Sequence, residues 1–298
     1  MTNYEFFVGI DLSKATFDAH LINTRTGEEA HSAFQNDKEG FAQFWDWAKS
    51  LTNQRPAKKM LACMEHTGHL GLRLRLFLQE KKVACAVEPA LRIQCSMGIQ
   101  RGKTDKADAA VIGRFAKRFH DELEPCPPAS DNLLRLSSLL STREALVRDK
   151  VRHANALESL KPLEYKELNE VHEQMIKTLG KKIAKVEAMI DELVASDEEL
   201  KKNCELCRSV PGVGRVTACM LIALTGNFTR FADWRKFSCY CGTAPFPYSS
   251  GSSVRGRTKV SPLGHKGMKA LLGLAVLAAV RRNPQFAEYQ ERKLKEGK

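Results

Sequence analysis

The sequence predicts an α/β domain at the N-terminus, then a long helical segment, then a basic and mainly helical C-terminal domain. Three observations predict this order. Short apolar runs alternate with helical patterns over residues 1–126, and apolar residues then recur every three or four positions up to residue 202. Residues 201–298 carry 18 Lys and Arg against 5 Asp and Glu, a net charge of +13, while the whole chain of 298 residues has +12. The predicted domains are therefore 1–126, 127–202 and 203–298.

The N-terminal domain begins with two predicted strands. An apolar run over 6–10 ends at Asp11, and residues 16–22 alternate apolar and polar side chains, which is typical of a half-buried strand. A hairpin turn over 23–27 follows the second of these strands. The pattern then predicts a strand reaching Phe34, a helix over 40–51, a strand over 59–64, a helix over 70–79, a strand over 83–87 and a helix over 104–119. Such an order indicates a mixed sheet covered by helices.

The middle segment is helical over most of its length. Pro125, Pro127 and Pro128 mark its beginning, and Pro162 interrupts it. Apolar residues keep one helical face on both sides of that break: Leu133, Leu136, Leu140, Leu146 and Val147 before it, and Leu168, Val171, Met175, Leu179, Ile183, Val186, Ile190 and Leu193 after it. Two such helices form either a hairpin within one chain or a dimeric coiled coil, and the period fits both.

Composition limits the class of protein. No stretch approaches the roughly 20 apolar residues that a membrane-spanning helix needs, and the N-terminus has no secretory-signal pattern. The nine cysteines are odd in number and scattered, which favours free thiols in a reducing cytoplasm over a disulfide framework. Cys204 with Cys207 and Cys239 with Cys241 form two close pairs, but the second pair is spaced too tightly for a usual zinc knuckle.

The charge of the C-terminal domain indicates binding to a phosphate backbone, with a solvated basic face as the plain alternative. Pro211-Gly212-Val213-Gly214 separates two apolar runs, as in a helix-hairpin-helix whose turn presents backbone N–H groups to a phosphate. A simple turn between packed helices is the alternative. Gly, Ser and Pro surround the basic residues, which is not typical of a membrane-binding helix.

Trp234 is expected in the core rather than stacked on bases. The candidate nucleic-acid-binding residues are Gly212, Gly214, Arg215, Arg255, Arg257, Lys259 and Lys266.

Four acidic residues are the strongest candidates for catalysis. Asp11 and Glu65 each close a predicted strand, and Asp105 and Asp108 share one face of a predicted helix. In a ribonuclease H-like sheet, two strand ends and one helix face converge on a single cleft. Crowded carboxylates raise one another's pKa, and hard cations such as Mg²⁺ or Mn²⁺ relieve that repulsion. Two ions about 4 Å apart can hold both oxygens of a phosphoryl displacement.

The second candidate site is the serine-rich run from Tyr248 to Arg257. Its Gly and Ser residues predict a flexible loop that a phosphate can approach closely. Arg255 and Arg257 offer charge-assisted hydrogen bonds. A serine hydroxyl acts as a nucleophile only after activation, and no Ser-His-Asp arrangement accompanies this run. Composition alone favours a plain loop.

Six short motifs together resemble one known family. They are Gly9-Ile10-Asp11 followed by Lys14, Glu65-His66-Thr67-Gly68, Lys103-Thr104-Asp105-Lys106-Ala107-Asp108, Ser209-Val210-Pro211-Gly212-Val213-Gly214, Ser250-Gly251-Ser252-Ser253-Val254-Arg255-Gly256 and Gly264-His265. In this order and spacing the sequence resembles the DEDD-type transposases, the insertion-sequence family of bridge-RNA-guided recombinases that includes the Piv-type DNA invertases. The resemblance covers nearly the whole chain.

The resemblance implies a RuvC-like domain, a helical coiled coil and a transposase domain that carries a serine. It implies that the four acids bind Mg²⁺ and that Ser250 attacks DNA to form a covalent phosphoserine link. It also implies a homodimer or homotetramer with a composite active site, in which the acids of one protomer meet the serine of another. A non-coding bridge RNA would pair with donor and target DNA in the bacterial cytoplasm. Family members commonly continue with another helix past the basic turn near Lys295, and this sequence ends at Lys298.

Three other functions compete with RNA-guided recombination. One is a Piv-like invertase that recognises DNA without RNA, and another is a junction-resolving nuclease that uses a metal-activated water. The third is a nucleic-acid-binding protein without catalysis, against which the complete acid set and Ser250 argue. Phosphate contacts carry no sequence information, so the basic residues fit an RNA guide and direct DNA recognition alike.

Overall fold

The chain folds into two compact units, residues 1–129 and residues 130–298, and each is described by itself. None of the helices in the described part combines the length and apolarity needed to span a bilayer. The computed structural model describes residues 4–53, 59–68, 70–98, 104–127, 130–163, 165–251 and 254–297.

The first unit contains a mixed five-stranded sheet, as the sequence predicts. Its strand order is β3-β2-β1-β4-β5, with antiparallel pairing on the β2 side of β1 and parallel pairing on the β4 side. The strands are β1 (Phe6–Leu12), β2 (Thr16–Asn23), β3 (Glu29–Gln35), β4 (Met60–Glu65) and β5 (Ala84–Glu88). The helices are α1 (Lys38–Leu51), α2 (Leu72–Glu80), α3 (Ala90–Met97) and α4 (Asp105–Arg118).

Helix α3 is absent from the sequence prediction. It has eight residues and Ile93 is its one buried residue, so its apolar pattern is too brief to stand out in the sequence.

The central strands are buried on both faces because each face carries its own helices. Val8 and Ile10 pack with Phe44 of α1 in one cluster, and Phe7 packs with Phe115 of α4 in the other. Successive side chains of a strand point to opposite faces. Alternate residues of β1 and β4 therefore face α4, and this geometry positions the acidic residues described below.

Two glycines bring α4 into direct contact with β1. A Cβ atom on Gly9 would lie 2.1 Å from both the carbonyl oxygen of Ala109 and the backbone nitrogen of Gly113. A Cβ atom on Gly113 would lie 3.2 Å from the nitrogen of Gly9. Since real Cβ atoms do not approach backbone so closely as 2.1 Å, only glycine fits at position 9 in this arrangement.

The second unit is mainly helical. It contains α5 (Asp131–Leu160), a 3₁₀ turn (Lys161–Leu163), α6 (Lys166–Ser196), α7 (Glu198–Arg208), α8 (Arg215–Thr225), α9 (Trp234–Cys241), β6 (Pro245–Ser250), β7 (Val254–Val260), α10 (Lys266–Arg282) and α11 (Pro284–Lys295).

Helices α5 and α6 form an antiparallel hairpin within one chain. Arg143 donates to Glu187 at 2.6 Å, and the Nδ1 atoms of His153 and His172 lie 3.0 Å apart. One hydrophobic cluster joins the hairpin to α7 and α8. The middle and C-terminal parts of the sequence therefore share a core, and their division at residue 202 stays a prediction, as does a dimeric coiled coil.

The prediction of a flexible loop over residues 248–257 is wrong for most of that run. Strands β6 and β7 pair antiparallel, with Tyr248 opposite Gly256 and Ser250 opposite Val254. Ser and Gly have low strand propensity, so the run looks like a loop in sequence. Cross-strand pairing, which no local pattern reveals, overrides that preference.

The glycine contact yields a prediction about folding. We expect Gly9→Ala to lower the free energy of unfolding by roughly 3 kcal/mol, because the added methyl group forces α4 away from β1. Gly113→Ala adds the same group at 3.2 Å and gains helix propensity, so its effect should stay below about 1 kcal/mol. Urea unfolding measures both, followed by tryptophan fluorescence in a Trp234→Phe background so that Trp45 and Trp47 report on the first unit. Equal losses in the two variants would contradict the contact.

Candidate active site

The sheet places two acidic residues at one edge. On the face of β1 and β4 that meets α4, Phe7 and Leu61 are buried in the core. Asp11 is the last but one residue of β1, and Glu65 is the last residue of β4. The strands run parallel with Ile10 opposite Met64. The register therefore brings Asp11 and Glu65 side by side at the carboxyl edge of the sheet.

The beginning of α4 supplies two further acids. Thr104 caps the helix, and its Oγ1 accepts a hydrogen bond from the nitrogen of Ala107 at 3.2 Å. Asp105 and Asp108 consequently lie in the first turn, where a negative charge is favoured by the helix dipole.

All four predicted acids line one cleft of about 210 Å³. The other residues that line this cleft are Leu12, Ser13, Thr16 and Asp18. The structure therefore brings together Asp11, Glu65, Asp105 and Asp108, although their catalytic and metal-binding roles stay predictions.

Asp18 is a fifth acid of the cleft, and sequence reasoning missed it. It lies opposite Asp11 in the antiparallel pair β1–β2, and its Oδ1 is 2.7 Å from Nε2 of His31 on β3. The available signal was the short connection over residues 13–15 between β1 and β2, which pairs positions 11 and 18 only if the register of the hairpin is known.

The cleft is electrostatically crowded. The pKa of Asp11 is raised to about 6, first by burial and then by the negative charges of Asp108, Glu65 and Asp105. At neutral pH the carboxylates therefore repel one another, and a bound cation would remove that cost.

The chemistry of the cleft fits a hard divalent cation. Carboxylate oxygens are the ligands that Mg²⁺ and Mn²⁺ prefer, and the four predicted acids line this one cleft. Within the described ranges, no three His, Cys, Asp or Glu side chains stand close enough to enclose an ion as placed. The carboxylates line a common cleft, and their side chains must rotate before they can surround one ion.

The predicted nucleophile lies at the end of a strand in the second unit. Ser250 is the last residue of β6, and Gly251 follows with a φ of +56°, in the left-handed region that favours glycine. The ring of Tyr248 covers Gly256, because a Cβ atom there would lie 2.7 Å from Cδ1 of that ring. The side chains of Ser250 and Arg255 lie outside the described part of the structure, and so do Ser252 and Ser253.

The base of this hairpin is fixed by two glycines. A Cβ atom on Gly264 would lie 2.7 Å from the Cα of Gly242, where α9 ends and the chain turns toward β6. The nitrogen of His265 donates to the carbonyl of Tyr240 at 2.9 Å, and the two rings lie 5.8 Å apart. The motif Gly264-His265 therefore anchors the end of β7 to the end of α9.

The helix-hairpin-helix candidate corresponds to α7, a turn and α8. Gly212 packs against α10, since a Cβ atom would lie 2.0 Å from the carbonyl oxygen of Ala275. Gly214 caps α8 and is exposed. Arg215 pairs with Glu187 at 3.1 Å and also with Asp191. Gly214 is therefore the exposed glycine of this turn, and its contact with a phosphate stays a prediction.

The other predicted nucleic-acid-binding residues lie on the surface. Arg257 and Lys259 are exposed on β7, and Lys266 is exposed at the beginning of α10. Their contact with nucleic acid stays a prediction.

The four cysteines considered for zinc differ in burial. Cys204 is buried in the helical core beside Cys219. On α9, Cys241 is buried and Cys239 is exposed. In the described part of the chain they do not converge into a group of three metal ligands.

A mixed sheet with acids gathered at one edge, joined to a basic helical unit, is typical of enzymes that act on phosphodiester bonds. Comparison with known proteins gives the family. Residues 8–161 match the IS110-type DEDD domain described as a transposase, and residues 204–291 match the transposase domain of the IS116/IS110/IS902 family. The chain belongs to the IS110 family of DEDD transposases, enzymes of insertion sequences that act on DNA.

Several curated proteins are similar to this chain, some over most of its length and some over a short part. The pilin gene-inverting protein of Moraxella lacunata is 26% identical, over 98% of this chain and 88% of that protein. The transposase of the insertion sequence IS1328 from Yersinia enterocolitica is 24% identical, over 66% of this chain and 64% of its own length. The IS1111A transposase of Coxiella burnetii is 34% identical over 26% of this chain and 24% of that protein.

The crowding of the cleft yields a prediction about stability. At pH 7.5, above the raised pKa of Asp11, we expect Asp11→Asn to melt a few degrees higher than the unmodified protein in EDTA, because one repelling charge is gone. Mg²⁺ should raise the melting temperature of the unmodified protein and have less effect on the variant. Asp46→Asn, at an exposed position on α1, is the matched control and should change neither value. A lower melting temperature for Asp11→Asn in EDTA would refute the repulsion.

Proposed function

We propose that this protein cuts and rejoins DNA as the recombinase of a mobile insertion sequence, through a covalent link to Ser250 and with divalent cations at the acidic cleft. The observation that carries the proposal is the set of four acids, from two strands and one helix, that line one cleft in a chain of the transposase family. Like-charged residues gathered at such cost to stability indicate a function for the charge.

The proposed cation ligands are Asp11, Glu65, Asp105 and Asp108. Mg²⁺ or Mn²⁺ bound there would supply positive charge to the phosphate that reacts and to the oxygen that attacks it. The strand ends and the capped first turn of α4 hold the backbone of these acids on rigid elements. The protein thereby fixes where the reacting phosphate can lie.

The proposed nucleophile is the hydroxyl of Ser250. Its oxygen gives up its proton and forms a bond to phosphorus. The bond between phosphorus and one deoxyribose oxygen breaks, and that oxygen takes up a proton and leaves as a hydroxyl. Attack by a strand hydroxyl on the phosphoserine reverses the step and joins the new ends. Gly251 supports this assignment, because it removes a side chain next to the attacking oxygen.

We further propose that the acids and the serine of one active site come from different protomers of a homodimer or homotetramer. A serine needs an activating group, and the acidic cleft of another protomer can supply it.

The basic C-terminal part supports binding of both DNA and a guide RNA. Its net charge of +13 suits phosphate contacts, which give affinity without sequence information. We therefore propose that a bridge RNA selects donor and target DNA by base pairing, in the bacterial cytoplasm. Purification of the protein from its host and sequencing of the bound RNA tests this part.

A second candidate is site-specific DNA inversion without an RNA guide. The observation that favours it is the similarity to the pilin gene-inverting protein over 98% of this chain. Recovery of protein active on DNA in the absence of any bound RNA would favour this candidate. A junction-resolving nuclease that uses water instead of serine is distinguished by the next experiment.

Ser250 and its neighbour Ser249 provide a matched pair of variants. Ser250→Ala should eliminate the covalent protein–DNA adduct, whereas Ser249→Ala should only lower its yield, because the residue directly before Gly251 is the proposed nucleophile. End-labelled DNA and Mg²⁺ on a denaturing gel reveal the adduct as a shifted band. Loss of the adduct in Ser249→Ala alone would move the assignment by one residue. Clean cleavage without any adduct would favour the water-using nuclease.

The same gel tests the acidic cleft. We expect EDTA or Asp105→Asn to lower strand cleavage at least a hundredfold, on the order of the loss when one catalytic contact is removed. Binding to labelled DNA should change little, since phosphate contacts depend on the basic residues. Asp46→Asn again serves as the control. Full cleavage in EDTA would rule out the cation-dependent mechanism.

A further inference from the structure

Trp234 lies on the surface of the second unit, and its expected place in the core is wrong. It is the first residue of α9, and 69% of it is exposed to solvent. Trp45 and Trp47, by contrast, pack against the core of the sheet. An indole left this exposed keeps most of its apolar surface available to a ligand.

The local structure holds this ring on a rigid base. Asp233 caps α9, and its Oδ1 accepts hydrogen bonds from the nitrogens of Arg235 at 2.7 Å and Lys236 at 2.9 Å. The guanidinium of Arg235 lies 4.8 Å from the centre of the Trp234 ring. One face of the indole is therefore occupied by a cation, and the exposure of the residue leaves room on the other face.

The surroundings are basic. Arg235 and Lys236 are both exposed beside the ring, and Arg230 lies four residues before it with its guanidinium 4.9 Å from the ring centre of Tyr240. The segment from residue 201 onward has a net charge of +13. An exposed aromatic ring among cations complements a nucleic acid, whose bases offer flat faces and whose backbone is negative.

The geometry favours an unpaired base over a duplex. Bases inside a double helix are stacked on one another and expose only their edges in the grooves. A ring face such as that of Trp234 can stack only on a base that is unpaired, flipped out or at a strand end.

We propose that Trp234, backed by Arg235 at the beginning of α9, is a stacking site for an unpaired nucleobase, with Arg235 and Lys236 on the flanking phosphates. The ligand is a single-stranded stretch of either RNA or separated DNA. This inference rests on the proposed function, because it assigns one contact of the nucleic acids named there. Helix α9 is about 12 Å long, and three residues connect its end to the hairpin of Ser250.

Fluorescence anisotropy tests the site with the full chain. The probes are labelled 12-nucleotide rU and dT oligomers and a blunt 20-base-pair duplex, titrated at several salt concentrations. Trp234→Ala should weaken oligomer binding about tenfold, the usual effect of removing one stacked aromatic, and leave duplex binding unchanged. Trp234→Phe should retain most of the affinity. Tyr165→Ala, at another exposed aromatic residue outside the basic segment, is the control and should bind as the unmodified protein does.

Two further readouts separate stacking from charge and from misfolding. The slope of log affinity against log salt should stay the same in Trp234→Ala and become shallower in Arg235→Ala, which loses a phosphate contact. Oligomer binding should quench tryptophan emission in the unmodified protein and much less in Trp234→Phe, a measurement that does not need the alanine variant to fold. A larger effect with rU than with dT would identify RNA as the ligand.

Equal oligomer affinity for the unmodified protein and Trp234→Ala, or equal quenching in Trp234→Phe, would overturn the stacking site and leave the proposed function intact. Failure of the unmodified protein to bind either oligomer or duplex would overturn both. A Trp234→Ala variant that loses duplex and oligomer binding equally would show a general effect on the unit and would also overturn the assignment.

Discussion

The acidic cleft depends on the direct contact between the backbones of Gly9 and Gly113. Asp11 follows Gly9 by two strand residues, about 6.6 Å, and Asp108 precedes Gly113 by five helical residues, about 7.5 Å. These offsets are nearly equal, so the end of β1 and the beginning of α4 reach the same edge of the sheet. Any side chain at position 9 would separate helix from strand and open the cleft. Gly9 and Gly113, which have no reactive side chain, thus determine where the acidic residues meet.

Much of the first unit was predictable because its signals are local. Apolar runs that end in Asp11 and Glu65, and a capping Thr104 before Asp105, are visible in the sequence and describe the structure well. Asp18 was not predictable, because its place beside Asp11 depends on the register of a hairpin. The strands that carry Ser250 were hidden for a similar reason, since only pairing across the hairpin makes Ser and Gly extended there.

The second unit shows why net charge is an incomplete guide to a binding surface. Arg215 was a candidate phosphate contact from its position after a glycine turn, yet it pairs with Glu187 and Asp191 of α6. Gly212 similarly serves the packing of α10 against the turn. Arg257, Lys259 and Lys266, by contrast, lie exposed on the surface. Of the residues that make up the net charge of +13, those without a local acidic partner are therefore the ones best placed to face a ligand.

The prolines of β6 have a consequence for assembly. A two-stranded sheet has an outer edge on each strand, and such edges tend to recruit strands from other copies and aggregate. Pro245 and Pro247 remove two backbone donors from β6, and the pairing with β7 is irregular between Phe246 and Tyr248. A third strand that paired with β6 would therefore lack some of its backbone hydrogen bonds. This feature disfavours pairing between the β6 strands of neighbouring copies of the chain.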